Sequence, residues 1–201
     1  AASDVYKRQI LAYGAPILKK KAEDVNEDYP NLSKLIEDMW ETMYASNGVG
    51  LAAPQIGLSV RILVVDASPF ALNEELDPIE AQTLETFKKV FINPKMIKEE
   101  GDPWTFNEGC LSIPDVREDV NRHEQITIQY RDEKFQLHTE IFNGLVARVV
   151  QHEYDHIEGI LFIDHLSSLK RRLIKNKLIS ISKGLISVDY PMKFPKKSKL
   201  K

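Results

Sequence analysis

GLVARVVQHEYDHIEG, residues 144–159, is the stretch on which the reading of this chain turns. Residues four apart on a helix differ by about 40° around its axis. His152 and His156 therefore project side by side and can share one cation, the H-E-x-x-H arrangement. The upstream half is helix-compatible, and Gly159 is placed to stop the helix. Leu145, Arg148 and Val149 lie within about 60° of the His152 direction. The metal-facing side thus continues into a mostly apolar wall, which suggests a pocket for an apolar side chain. Two carboxylates flank the pair, Glu153 about 60° from His156 and Asp155 about 60° from His152. Angles alone do not choose between them. The longer reach of Glu153 toward a water on the metal makes it the candidate base, and Asp155 is left as a supporting or surface partner. The plain alternative is two helix histidines in a chance pattern. His123, His138 and His165 have no such arrangement and read as surface or strand histidines.

A catalytic cation wants three protein ligands and one open position. Cys110, the one cysteine, sits in NEGCLSIP (107–114). Taken singly it is as much a small buried apolar residue as a ligand. Its flanks shift the balance, because Gly109 permits close backbone approach and Ser112-Ile113-Pro114 reads as the end of an extended segment. A thiolate with two imidazoles suits zinc or ferrous iron, and ligand identity does not decide which. Further upstream, GVGLAAPQ (48–55) describes backbone that something approaches closely. It lacks the Lys-Ser/Thr ending of a phosphate loop, and a structural turn is the alternative.

Around these motifs, Pro30–Ser46 carries apolar residues at helical spacing, with Asn31 or Ser33 as caps and Asn47-Gly48 as its end. VRILVVD (60–66) reads as a buried strand. Residues 67–89 read as an exposed, acidic, irregular excursion. Val90–Asn93 and Met96–Glu99 read as strand pieces flanking Pro94, and 120–138 as a hairpin turning at Arg131–Lys134. A last amphipathic helix runs from about Ser167 to Lys183. These pieces predict an α+β fold, with short antiparallel sheets packed around a central helix and a helix toward each end of the chain. The 201 residues read as a single catalytic domain, with 190–201 a basic, mobile tail. A net charge of -3 gives no reason to expect a specific nucleic-acid site. The absence of a long apolar run or a signal-peptide core, with a lone cysteine, points to no membrane and to a cytoplasmic compartment.

Together GVGLAAPQ (48–55), EGCLS (108–112) and QHEYDH (151–156) resemble the three motifs of the peptide deformylases, in their order and spacing, with likeness from about Leu11 to Leu169. The resemblance implies Cys110, His152 and His156 as metal ligands and Glu153 as acid/base. It implies Gln55 and the Leu111 N–H as donors to an oxyanion, and Val49, Gly50 and Gly109 as backbone pairing with an extended peptide. Val49, Phe106, Leu145, Arg148 and Val149 would line a pocket for methionine. The implied cofactor is Fe²⁺, with Zn²⁺, Ni²⁺ or Co²⁺ as substitutes. The implied reaction removes the formyl group from formylmethionine on newly made polypeptides and releases formate. Three features depart from the pattern. Residues 1–8 match nothing in it and are set apart as a candidate non-native segment, and the 67–89 excursion is long. Arg148 stands where other members are apolar, its guanidinium expected to reach solvent or else to contact the substrate backbone or a carboxylate. Arg117 and Arg122 are expected to contact substrate further out. For the basic tail a solvated end is the plainer reading, and transient ribosome contact the functional one. Two rivals remain: a metallopeptidase whose third ligand lies downstream, at Glu158 or His165, and a module with a structural metal.

Overall fold

The computed structural model describes residues 8–195. Along them run β1 (Ile10–Leu11), α1 (Leu32–Ala45), β2 (Gly50–Ala52), β3 (Ile62–Asp66), α2 (Pro78–Thr86), β4 (Lys88–Cys110), β5 (Ile113–Arg131), β6 (Leu137–Asn143), α3 (Gly144–Glu158), α4 (Ser168–Ser182) and β7 (Met192–Lys193). The arrangement is α+β, as predicted.

Every residue of β3 is buried, and its alternation explains how the layers meet. Ile62 and Val64 join Leu35, Ile36, Met39 and Met43 of α1 in one apolar cluster. Leu63 and Val65 point the other way and join Val146, Ala147, Val150 and Ile157 of α3 in another. The sheet, in the order β2-β3-β4-β5-β6 with antiparallel neighbours, therefore lies between the two helices. Each fully buried aliphatic side chain contributes about 1.5–3 kcal/mol. α4 closes a third cluster, in which Leu178 and Ile181 meet Ile113, Val116, Val120 and Phe162. β1 and β7 pair in parallel, Ile10 opposite Met192 and Leu11 opposite Lys193.

Four expectations are corrected. The two strand pieces around Pro94 belong to one strand, β4, which reaches Cys110 through register shifts such as that between Ile92 and Lys95. A bulge is where a proline costs the ladder least. The 67–89 excursion contains α2, capped by the Asp77 side chain on the Ile79 and Glu80 N–H groups, and it buries Leu84 and Phe87. Asn31 precedes α1 in a left-handed conformation without a side-chain cap bond. Residues 190–195 are docked rather than mobile, through β7 and through Tyr190, whose hydroxyl donates to the Leu111 carbonyl at 2.7 Å. Lys196, Lys197, Lys199 and Lys201 lie outside the described residues, as do residues 1–7. Arg8 is described and pairs with Asp38 at 3.0 Å.

Candidate metal centre

β4 hands over to β5 through a tip of two residues, Leu111 and Ser112, with Cys110 opposite Ile113. The predicted helix α3 presents His152 and His156 to this tip, and Gly159 stops it in the left-handed region at φ 76°. Ligand atoms of Cys110, His152 and His156 all lie within 4.8 Å of one another, and Cys110 Sγ is 3.3 Å from His156 Nε2. A cavity of about 820 Å³ opens over them, with Gly50, Gln55 and Glu153 in its lining.

Three observations test whether these residues suit a cation. One sulfur and two imidazole nitrogens converge, a donor set matched to zinc or iron. His152 Nδ1 lies 3.0 Å from Glu108 Oε2, so the ring is oriented by a carboxylate and its other nitrogen is left for the cluster. Glu153 Oε2, wholly buried beside the donors, has no protein partner. The residues fit.

Glu108 anchors the surroundings. It accepts from Arg122 Nε at 2.7 Å, Arg122 Nη2 at 3.1 Å and Arg148 Nη1 at 2.9 Å. Burial alone would raise its pKa, but His152 and Arg122 outweigh burial and hold it well below the carboxylate range. Burial also opposes a charge on His152, yet contacts with Cys110 and Glu108 raise its pKa well above the usual value. His156 goes the other way, pushed down to about 3 by burial and then by His152. Burial pushes Glu153 up to about 7, with His152 pulling against it.

The two candidate bases are thereby separated. Glu153 faces the cavity, whereas Asp155 accepts from Arg122 at 2.7 Å and lies 2.7 Å from His165 Nε2. Gln55 Oε1 takes the Ala52 N–H at 2.9 Å, so the amide turns Nε2 toward Ser112 Oγ at 3.3 Å and Cys110 Sγ at 3.6 Å. A donor therefore points into the site. A Cβ at Gly50 would stand 2.5 Å from Glu153 Oε1 and 2.7 Å from its Cγ, so any larger residue there would push the Glu153 side chain aside. Val49, Phe106, Gly109, Leu111, Arg148 and Val149 all line the cavity. Leu145 does not; it is buried in the cluster beneath.

Of its expected partners Arg148 finds a carboxylate and not solvent, and the expectation that Arg122 contacts substrate fails. Arg148 is 2% exposed, and its guanidinium goes to Glu108, the Val120 carbonyl at 3.0 Å and the Trp104 carbonyl at 2.6 Å rather than to solvent. Arg122 is locked between Glu108 and Asp155, away from the cavity. Arg117 does reach the cavity lining and also holds the Asn107 carbonyl at 2.6 Å. The downstream ligands of the peptidase alternative are committed elsewhere, Glu158 to Arg61 and Lys21, and His165 to Asp155. Sequence reasoning missed Phe70, from the excursion, and Ser187–Tyr190, all lining the cavity. It also left Glu108 without a role, although a carboxylate one residue from a ligand-bearing Gly-Cys was a readable signal.

An α+β domain with a Cys-His-His cluster, a buried carboxylate beside it and an amide donor facing it has the equipment of a metal-dependent hydrolase. The profile of the Polypeptide deformylase family matches residues 7–172. The chain is 62% identical to a peptide deformylase of Christiangramia forsetii over 190 residues, 94% of this chain and 97% of that one. It is 56% identical to one from Flavobacterium johnsoniae, covering 92% and 94%. Among solved structures it is similar to peptide deformylases of Legionella pneumophila (TM-score 0.73, 36% identity, 89% and 96% covered) and Thermotoga maritima (0.70, 35%, 81% and 99%). The chain belongs to the polypeptide deformylase family, metal-dependent hydrolases that remove N-formyl groups from nascent polypeptides.

Proposed function

We propose that the described residues form one catalytic domain in which Cys110, His152 and His156 hold a single divalent cation, Fe²⁺ in the first place, with Zn²⁺, Ni²⁺ or Co²⁺ as substitutes. When bound, such a cation supplies Lewis acidity, making water acidic near neutral pH and drawing charge from a carbonyl oxygen. The observation that carries the reading is the convergence of three donors beside a buried Glu153 oxygen without a partner.

The chain's own groups then do the following. The backbone of Val49, Gly50 and Gly109 pairs with an extended formylmethionyl peptide, as an added strand. Val49, Phe106, Val149 and the Arg148 stem flank the methionine side chain, with Leu145 packed behind them. Glu153, with its pKa raised to about 7, takes the proton of the attacking water and returns it to the leaving amine. The formyl oxygen gains negative charge as the water adds, and Gln55 Nε2 and the Leu111 N–H donate to it. The C–N bond breaks, leaving formate and a free amino terminus.

The test is formate release from formyl-Met-Ala-Ser with air excluded. Activity is expected in the parent and lost in Cys110→Ser; full activity in that variant would sink the ligand assignment. No helix among the described residues is long and apolar enough to cross a membrane. The cytoplasm is the compartment proposed, because nascent formylated chains are found there. For the basic end, whose residues 196–201 lie outside the described ones, no ribosome contact is proposed. Truncation of 196–201 should leave ribosome co-sedimentation unchanged, and a drop would favour the contact.

A further inference from the structure

The outermost strands of the fold meet the catalytic tip from both sides. Ile10 N–H donates to the Pro191 carbonyl at 3.0 Å and Ala12 N–H to the Lys193 carbonyl at 2.9 Å, which ties the two strands together. Just past β1, Tyr13 N–H donates to the Ser112 carbonyl at 2.8 Å. Just before β7, the Tyr190 hydroxyl donates to the Leu111 carbonyl at 2.7 Å. Both carbonyls of the two-residue tip between Cys110 and Ile113 are thus satisfied by the same β1–β7 unit. A third bond, from Gln55 Nε2 to Ser112 Oγ, reaches the tip from the opposite wall. Tyr190 also shares the cavity lining with Leu111, through the run Ser187–Tyr190.

A two-residue tip has few constraints of its own, since its peptide groups sit beyond the last ladder pair. Fixing both carbonyls fixes ψ at Leu111 and Ser112 and so restrains the turn as a whole; the Leu111 N–H, whose direction follows ψ of Cys110 and φ of Leu111, is held through that restrained turn. We propose that the β1–β7 pair is a clasp that positions the Leu111 peptide group for the reaction, with Tyr190 as its positioning residue. The clasp rests on the reading above that the Leu111 N–H faces the reacting oxygen.

Tyr190→Phe removes one hydroxyl and keeps the ring. Losing one positioning hydrogen bond predicts a fall in kcat of about fivefold. KM for formyl-Met-Ala-Ser should stay within about twofold, because the peptide-pairing backbone is untouched. In the metal-free protein, amide exchange should quicken in the peptide spanning 108–114 and not across Ile62–Asp66. Glu153→Gln runs beside it as the control. An inactive control with the predicted kcat loss and quickened tip exchange supports the clasp. An inactive control with unchanged kcat in Tyr190→Phe overturns the clasp alone, whatever happens to the melting temperature. A control that keeps its activity overturns the reading of the site and the clasp with it.

Discussion

Glu108 shows what one buried charge demands of its neighbours. Its carboxylate is 5% exposed and meets Arg122, Arg148 and His152. A buried ion is tolerated only with partners on most of its lone pairs, and removing one member leaves the others uncompensated. Glu108→Gln should therefore lower unfolding stability by about 3 kcal/mol, read from urea midpoints. It should also weaken metal retention by about 10–100-fold, because His152 loses the carboxylate that orients it. The pH dependence has two opposed parts in the metal-free protein. Glu108 and Asp155 have folded pKa values below their ordinary 4.5 and 3.8, so their stabilisation is complete above those values and is lost as pH falls through the lower folded ones. Glu153 runs the other way. Its folded pKa of about 7 exceeds the ordinary 4.5, so stability falls as pH rises from 4.5 to about 7. His156, lowered to about 3, adds stability as pH rises toward 6.5, and His152, raised above 6.5, loses it beyond that value. The gap in urea midpoint between pH 5 and pH 8 should therefore change in Glu153→Gln by the Glu153 share; an unchanged gap would remove Glu153 as a source.

At the scale of elements, α3 was legible because its message is local. Two histidines four apart, an apolar stripe and a terminal glycine all repeat with the helix period. The stop at Gly159 is doubly required, by φ 76° and by the backbone of Lys19, which a Cβ would approach at 2.8 Å. Gly159→Ala is expected to cost about 1–2 kcal/mol from the left-handed conformation alone, more with the clash, as a lowered thermal midpoint. No change there would mean that the loop at Lys19 yields freely. The run of β3 was equally readable. β4 was not, because Pro94, Gly101 and Pro103 break its alternation, and its continuity comes from pairing with β5 across several shifts. α2 was missed since nine residues carry a weak stripe, although Asp77-Pro78 is a helix start that could have been read.

For the whole molecule, the fold class could be foreseen from the pattern of strand and helix pieces, and the convergence of Cys110, His152 and His156 from the motifs that hold them. The far wall of the cavity could not, because Phe70 and Ser187–Tyr190 reach it through chain turns that no periodicity encodes. Arg148 likewise reads as a solvent-seeking side chain until Glu108 is brought beneath it. The cation should act on the molecule as a whole. A ligand present at a thousand times its Kd stabilises by about 4.1 kcal/mol. Chelation is expected to abolish formate release and to lower the melting temperature, both restored by Fe²⁺ added without air. A melting temperature indifferent to the chelator would argue against a cation held in the folded state alone.

The β1–β7 pairing also sets an order of events. The strands β2 to β6 are neighbours in sequence as well as in space, so even across the α2 excursion their contacts close far shorter loops than β1 with β7. Ile10 and Met192 instead meet across nearly the whole described chain, which is entropically the most distant contact of the fold. During synthesis the sheet and α3 emerge, with Cys110, His152 and His156 all present, well before Tyr190 does. A chain halted short of Tyr190 would carry its metal donors while its hairpin tip still lacks the hydroxyl on Leu111. The enzyme would then acquire its ligands early and its full turnover only with the last strand.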